Sequence, residues 1–290
     1  MKDFTLRVYR QLLETLQKSG YSFCTFEDWC DGKADDRYVI LRHDVDLKVR
    51  NSLDIARIEA AMGIRATYYF RVIPQSNQRD VINSIAGLGH EIGYHYEDLS
   101  LFHGHAEKAI EHFKIQLEYF RQFYPVRTIC MHGSPISKWD NRDLWKTYDY
   151  RDYDLIGEPY FDFLKPKTEQ NAEATYFTDT ARMWDGDKYN IRDKSVNSDK
   201  GSVISDKKTG NGSQLSSVTV ERLNDSAIPR FSIHSTFDLI NWFKSGPDQN
   251  GIMITTHPQR WSDKAYDWFV ELIMQHIKNF IKHWFLKIVR

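Results

Sequence analysis

"YVILRHDVD", residues 38 to 46, decides how this chain is read. Tyr38, Val39, Ile40 and Leu41 form the continuous apolar run of a strand buried on both faces. Arg42, His43, Asp44 and Asp46 then crowd its end. Packing alone gives no reason to finish a buried strand with four ionisable groups. In parallel α/β folds, however, ligand sites lie where strands end at their carboxyl side.

The same beat continues outward from this stretch. "VRNSLDIARIEAAMG" (49 to 63) places Leu53, Ala56 and Ala60 on one helical face and stops at Gly63. "ATYYFRV" (66 to 72) is a second strand, "NQRDVINSIAGLG" (77 to 89) a helix capped by its asparagine, and "EIGYH" (91 to 95) a third strand. A helix over 106 to 123 leads to a fourth strand, "VRTICMH" (126 to 132). Strand and helix alternating in units of about 30 residues predict parallel βα packing. Further on, "DLIGEP" (154 to 159) and "ATYFTDT" (174 to 180) are candidate strands. "NGIMITTH" (250 to 257) is another, followed by a long helix over 263 to 287. Residues 193 to 217 are rich in Ser, Gly, Asn, Asp and Lys and read as a polar loop excursion within one domain spanning 1 to 290.

Bulk properties narrow the function classes. Lys and Arg number 39 against 40 Asp and Glu, a net charge of −1, so no electrostatic footprint points to nucleic acid or an anionic membrane. Cys24, Cys30 and Cys130 are odd in number and form no C-x-x-C pair, which argues against a disulfide framework or a zinc ribbon. Residues 1 to 20 read as an amphipathic helix ending at Gly20, without the apolar centre of a signal peptide. No stretch approaches the ~18 uncharged apolar residues of a membrane span. These features predict a soluble cytoplasmic protein acting on a small polar ligand. An aromatic content of 14% suits a sugar cleft as well as a core.

Strand ends supply the candidate chemistry. The first strand delivers Arg42, His43, Asp44 and Asp46; the third His95, Glu97 and Asp98; the fourth His132; the late one His257, with Arg260 close behind. Singly, each has a plainer explanation. Asp44 or Asp46 would serve to cap the next helix, and His95 would serve as a satisfied buried histidine. His103, His105 and His112 read as surface residues of a helical stretch. Four strands ending in histidine or carboxylate nevertheless match a metal or acid/base centre. Carboxylate and imidazole suit zinc or another divalent transition metal, which lowers the pKa of a water and polarises a carbonyl. In D-x-D, an extended backbone lets one aspartate hold the cation while the other takes a proton.

The order and content of "LRHDVD", "LGHEIGYHYED", "MHGSP" and "ITTHP" resemble the polysaccharide deacetylases, the NodB-like carbohydrate esterase family 4, in a divergent branch associated with bacterial surface-polysaccharide and lipopolysaccharide biosynthesis. The resemblance runs from about residue 38 to 260. It implies a distorted (β/α) barrel of about seven parallel strands, related to the TIM barrel. It also implies metal-dependent removal of acetyl from an N-acetylated sugar. By the same resemblance Asp44 is the general base, Asp46 the metal-binding aspartate and His95 the first histidine of an H-x-x-x-H metal pair. The second histidine falls at 99, where this chain has Leu99; Glu97, Asp98 or His132 are the substitutes, with Glu97 taken as a ligand. His132 stands where the family has an arginine that orients the base, and His257 resembles the closing histidine that protonates the leaving amine. Trp184-Asp185 stands for the family's fourth motif.

The reading is a zinc-dependent carbohydrate N-deacetylase with Asp44, His257 and His132 catalytic. Asp46, His95 and Glu97 hold the metal, and Arg42, Tyr160, Trp184, Asp185 and Arg260 meet the sugar. Its alternatives are a sugar-binding homologue without activity, and a hydrolase of another amide or of an O-acetyl ester.

Overall fold

A computed structural model of the chain describes residues 2–133, 137–164, 175–184 and 233–288, with side chains to residue 280. Its centre is the stretch just quoted. Strand β2, Tyr38–Val45, is buried from Val39 onward and has neighbours on both edges. Along one edge its first half pairs with β1, Ser22–Cys24, and its second half with β3, Thr67–Phe70. Along the other edge lies β7, Gly251–Thr256, in register from Tyr38↔Gly251 to His43↔Thr256. Adding β4 (Glu91–Tyr96), β5 (Ile129–Met131) and β6 (Thr175–Thr178) gives the order β5-β4-β3-β2-β7-β6, with β1 on β2. Every pairing is parallel, and the sheet curls into a half-barrel. This is the α/β distorted-barrel class expected from the sequence.

Parallel neighbours need crossovers, and amphipathic helices supply them. Helix α1 (Leu6–Lys18) and the short α2 (Phe26–Cys30) flank β1; α3 (Val49–Ala61) links β2 to β3, and α4 (Arg79–Gly87) links β3 to β4. Between β4 and β5 run α5 (Asp98–Leu101) and α6 (Ala106–Arg121). Then come α7 (Pro159–Asp162), α8 (Thr236–Lys244) before β7, and α9 (Ala265–Ile288) after it. Among the described residues no helix is long and apolar enough to cross a membrane.

Three local expectations are corrected. Helix α3 begins at Lys48 in the left-handed region with no side-chain cap, so neither Asp44 nor Asp46 caps it. Helix α4 is preceded by Gln78 without a side-chain cap; Asn77 instead accepts a hydrogen bond from the Tyr119 hydroxyl at 2.8 Å. Residues 154 to 159 do not form a strand: only Gly157 bridges, to Thr128, because the Glu158 carboxylate turns back to accept from the Tyr160 and Phe161 N–H groups and starts α7. The 193 to 217 excursion lies outside the described residues.

Alternation along the strands divides polar from apolar within the buried layer. In β2, Arg42 and Asp44 face the barrel interior while His43 faces α3, where its Nε2 meets Glu59. Register then stacks interior positions in layers: Asp44 lies beside Tyr69, and Tyr69 beside Gly93. Gly93 is needed there, since a Cβ would sit 2.4 Å from the Tyr69 ring. Two residues further along each strand come Asp46, Arg71 and His95.

Candidate metal centre

The strand-end residues converge. Asp46 Oδ1 lies 3.4 Å from His132 Nε2 and 3.6 Å from His95 Nε2, and Asp46 Oδ2 lies 3.9 Å from His257 Nε2. Three histidines from β4 and from the residues following β5 and β7 thus turn the same nitrogen to one carboxylate. The Nδ1 atoms of His95 and His257 are hydrogen-bonded, while that of His132 faces a carboxylate without a hydrogen bond. His95 Nδ1 is 2.9 Å from the Cys130 carbonyl, His132 Nδ1 is 3.1 Å from Glu97 Oε2, and His257 Nδ1 is 2.6 Å from Asp179 Oδ1. A carbonyl only accepts, so His95 Nδ1 carries the proton and its neutral ring presents a lone pair at Nε2.

Electrostatics agree with that arrangement. Burial pushes the His95 imidazolium pKa down to about 4, which keeps its lone pair open except in acid. Burial alone would raise Asp46, but the positive charge of His132, His257 and His95 when protonated outweighs it and holds the carboxyl below the usual range. Asp46 Oδ1 is buried without a hydrogen-bond partner, and Gln259 donates to Oδ2 at 3.4 Å. A tetrahedral cation with ligand bonds of about 2.0–2.2 Å needs ligand atoms about 3.3–3.6 Å apart. The 3.4 and 3.6 Å separations around Asp46 Oδ1 therefore fit a divalent ion held by Asp46, His95 and His132.

Asp44 occupies a different environment. Arg42 donates to both its oxygens, Nε to Oδ1 at 2.8 Å and Nη2 to Oδ2 at 2.7 Å. Burial would raise its pKa, yet the guanidinium holds the carboxyl well below the usual carboxylate range. Cys130 Sγ also approaches Asp44 and His95, though each Asp44 oxygen already accepts one hydrogen bond from Arg42 and keeps only its remaining lone pair.

The structure redistributes several sequence expectations. Glu97 is engaged behind His132: Arg71 donates to it at 2.9 and 2.7 Å, which with His132 brings its pKa down to about 2 despite burial. It orients a candidate ligand and does not reach Asp46. It is Arg42 that donates to Asp44, while His132 lies beside Asp46 with His95. Arg42 is itself wholly buried, so it supports Asp44 and is not open to a sugar. Trp184 is core: its indole N–H donates to Thr236 Oγ1 and its ring lies 6.4 Å from Trp261. Tyr160 is buried between the Arg42 and Arg142 guanidiniums, 5.2 and 5.3 Å from its ring. Arg260 donates to Asp179. Asp185 lies outside the described residues. His112 is not a free surface group: its Nδ1 pairs with buried Asp98 at 2.6 Å.

Two participants escaped the sequence reading. Asp179 follows β6 and is fully buried, accepting from His257, Arg260 and the Trp261 indole. Those partners draw its pKa down to about 2 against the pull of burial. It sits at the end of "ATYFTDT", so the strand-end rule would have found it. Gln259 lies two residues beyond His257, in a turn that the strand pattern does not cover. Comparisons of the chain with protein-family models, with curated proteins and with solved structures return no match.

Proposed function

We infer that the chain is a metal-dependent hydrolase that removes an acetyl group from an N-acetylated sugar or polysaccharide precursor. One observation carries the reading: three histidines turn Nε2 toward a single under-bonded aspartate, with a second aspartate held ionised beside it. A structural polar network has no use for so many open lone pairs.

Asp46, His95 and His132 would hold the ion, which supplies Lewis acidity toward the acetamide carbonyl and an acidified water. The chain's own groups manage the protons. Asp44 accepts the proton of the attacking water; Arg42 keeps it ionised and aimed, favouring constant availability over strength as a base. As the acid, His257 passes to the departing nitrogen a proton that its Nε2 has first taken up, with Asp179 fixing the ring through Nδ1. Continuing the β2–β7 register puts His257 beside Asp44, so the two proton-handling residues stand on adjacent strands.

The test pairs metal with product. The protein loaded with zinc is offered N-acetylated and O-acetylated sugars, and free amine and free hydroxyl are measured. Free amine is expected, with Asp44→Asn slowing its release by about 10²-fold or more. Hydroxyl without amine would move the reaction to an ester. Sugar binding without either product would leave an inactive binding protein.

A further inference from the structure

Helix α9 buries one side and, among the described residues, leaves the other bare. Inward, Trp268 donates its indole N–H to the Asp3 carbonyl, Glu271 lies 3.6 Å from Lys48, and Asn279 reaches the Ala181 carbonyl. Outward, Tyr266, Phe269, Ile273, Met274, Ile277 and Phe280 are 43–79% exposed. At roughly 200 Å² for an open large apolar side chain, these six present on the order of 700 Å². That exceeds the few hundred Å² usual for a monomer's largest apolar patch.

The spacing of the stripe identifies its occupant. Tyr266, Phe269, Ile273, Ile277 and Phe280 are separated by 3, 4, 4 and 3 residues, the same in either direction. A sequence symmetric about Ile273 complements itself when a second helix lies antiparallel across it. Tyr266 then meets Phe280, Phe269 meets Ile277, and Ile273 meets its own copy on the two-fold axis. Charge supports the same direction. Asp267 lies toward the helix start and Lys278 toward its end, so antiparallel copies bring an acidic end to a basic one. Their helix dipoles also oppose.

We propose that this face of α9 is a two-fold interface with a second copy of the chain, packed antiparallel about Ile273. Full coverage of both stripes would bury about 1,400 Å², within the range of stable interfaces of about 1,200–2,000 Å².

The experiment combines sedimentation with cysteine cross-linking of the full chain. A dimer is expected into the tens of micromolar, and Ile273→Lys, which sets two like charges together on the axis, is expected to give a monomer with unchanged circular dichroism. Under mild oxidation Ile273→Cys is expected to form a covalent dimer. Tyr266→Cys is not, because the two copies of position 266 lie about 20 Å apart in an antiparallel pair, at 1.5 Å per residue. A chain that stays monomeric overturns the proposal, whether or not it binds vesicles of anionic phospholipid. So does a dimer that survives Ile273→Lys, or equal cross-linking at 266 and 273, which would mean a parallel pair.

Discussion

The two faces of β2 carry the same kinds of residue in opposite conditions. On the outer face His43 is saturated: Nδ1 is 2.6 Å from Thr256 Oγ1 and Nε2 2.8 Å from Glu59 Oε1. Glu59 also accepts from the Tyr9 and Tyr68 hydroxyls, and burial that would raise its pKa is outweighed by His43. On the inner side, three residues on and just past the end of β2, Asp46 keeps an orphaned oxygen and His95, His132 and His257 turn their Nε2 atoms to it. A histidine-carboxylate cluster whose bonds all close among themselves ties α1 and α3 to the sheet. One whose bonds stay open is built for something not made of protein.

The largest effect expected from this contrast is on the outer face. Glu59→Ala strips the partner from His43, Tyr9 and Tyr68 and should lower unfolding free energy by about 3–5 kcal/mol, the cost of breaking a buried ion pair. Chemical denaturation measures it, while zinc stoichiometry of the folded fraction stays unchanged. Asp46→Asn should do the reverse. Zinc affinity falls by more than ~10²-fold, beyond the loss from removing an outer partner. The metal-free protein keeps its stability within about 0.5 kcal/mol, as for a site that packing does not need. Equal destabilisation by both substitutions would erase the distinction between the faces.

A smaller effect belongs to Glu97. Glu97→Gln weakens the hold on His132 Nδ1 and should cost about tenfold in zinc affinity, read by competition with a chelator. Separate from the metal is a pH slope at the floor of the barrel. Glu91 is fully buried and accepts from the Thr67 hydroxyl, the Thr128 hydroxyl and the Glu27 N–H. Burial pushes its pKa up to about 7. A folded pKa above the unfolded value near 4.3 means that stability is full below about pH 4 and is lost as pH rises through 7. Glu91→Gln should flatten that decline in denaturation midpoints taken across the range.

Legibility in the sequence followed the range of the interactions. Period and strand-end chemistry exposed β2, β3, β4, β5 and β7 together with Asp44, Asp46, His95, His132 and His257, because each signal lies within a few residues. Asp179 was legible by the same rule at the end of β6. Glu97's role was not, since it depends on Arg71 arriving from the neighbouring strand; nor was Arg42's, since strand-end position alone does not tell a group facing a ligand from one facing its neighbour two residues on. Glu59 was half-visible: a carboxylate three residues after Ala56 on a buried helical face, answered only by His43 across the layer.

The central claim is tested most directly by anomalous scattering from zinc-loaded crystals at the metal's absorption edge. One peak is expected, about 2.0–2.2 Å from Asp46 Oδ1, His95 Nε2 and His132 Nε2. No peak there, or a peak between His43 and Glu59 instead, would contradict it.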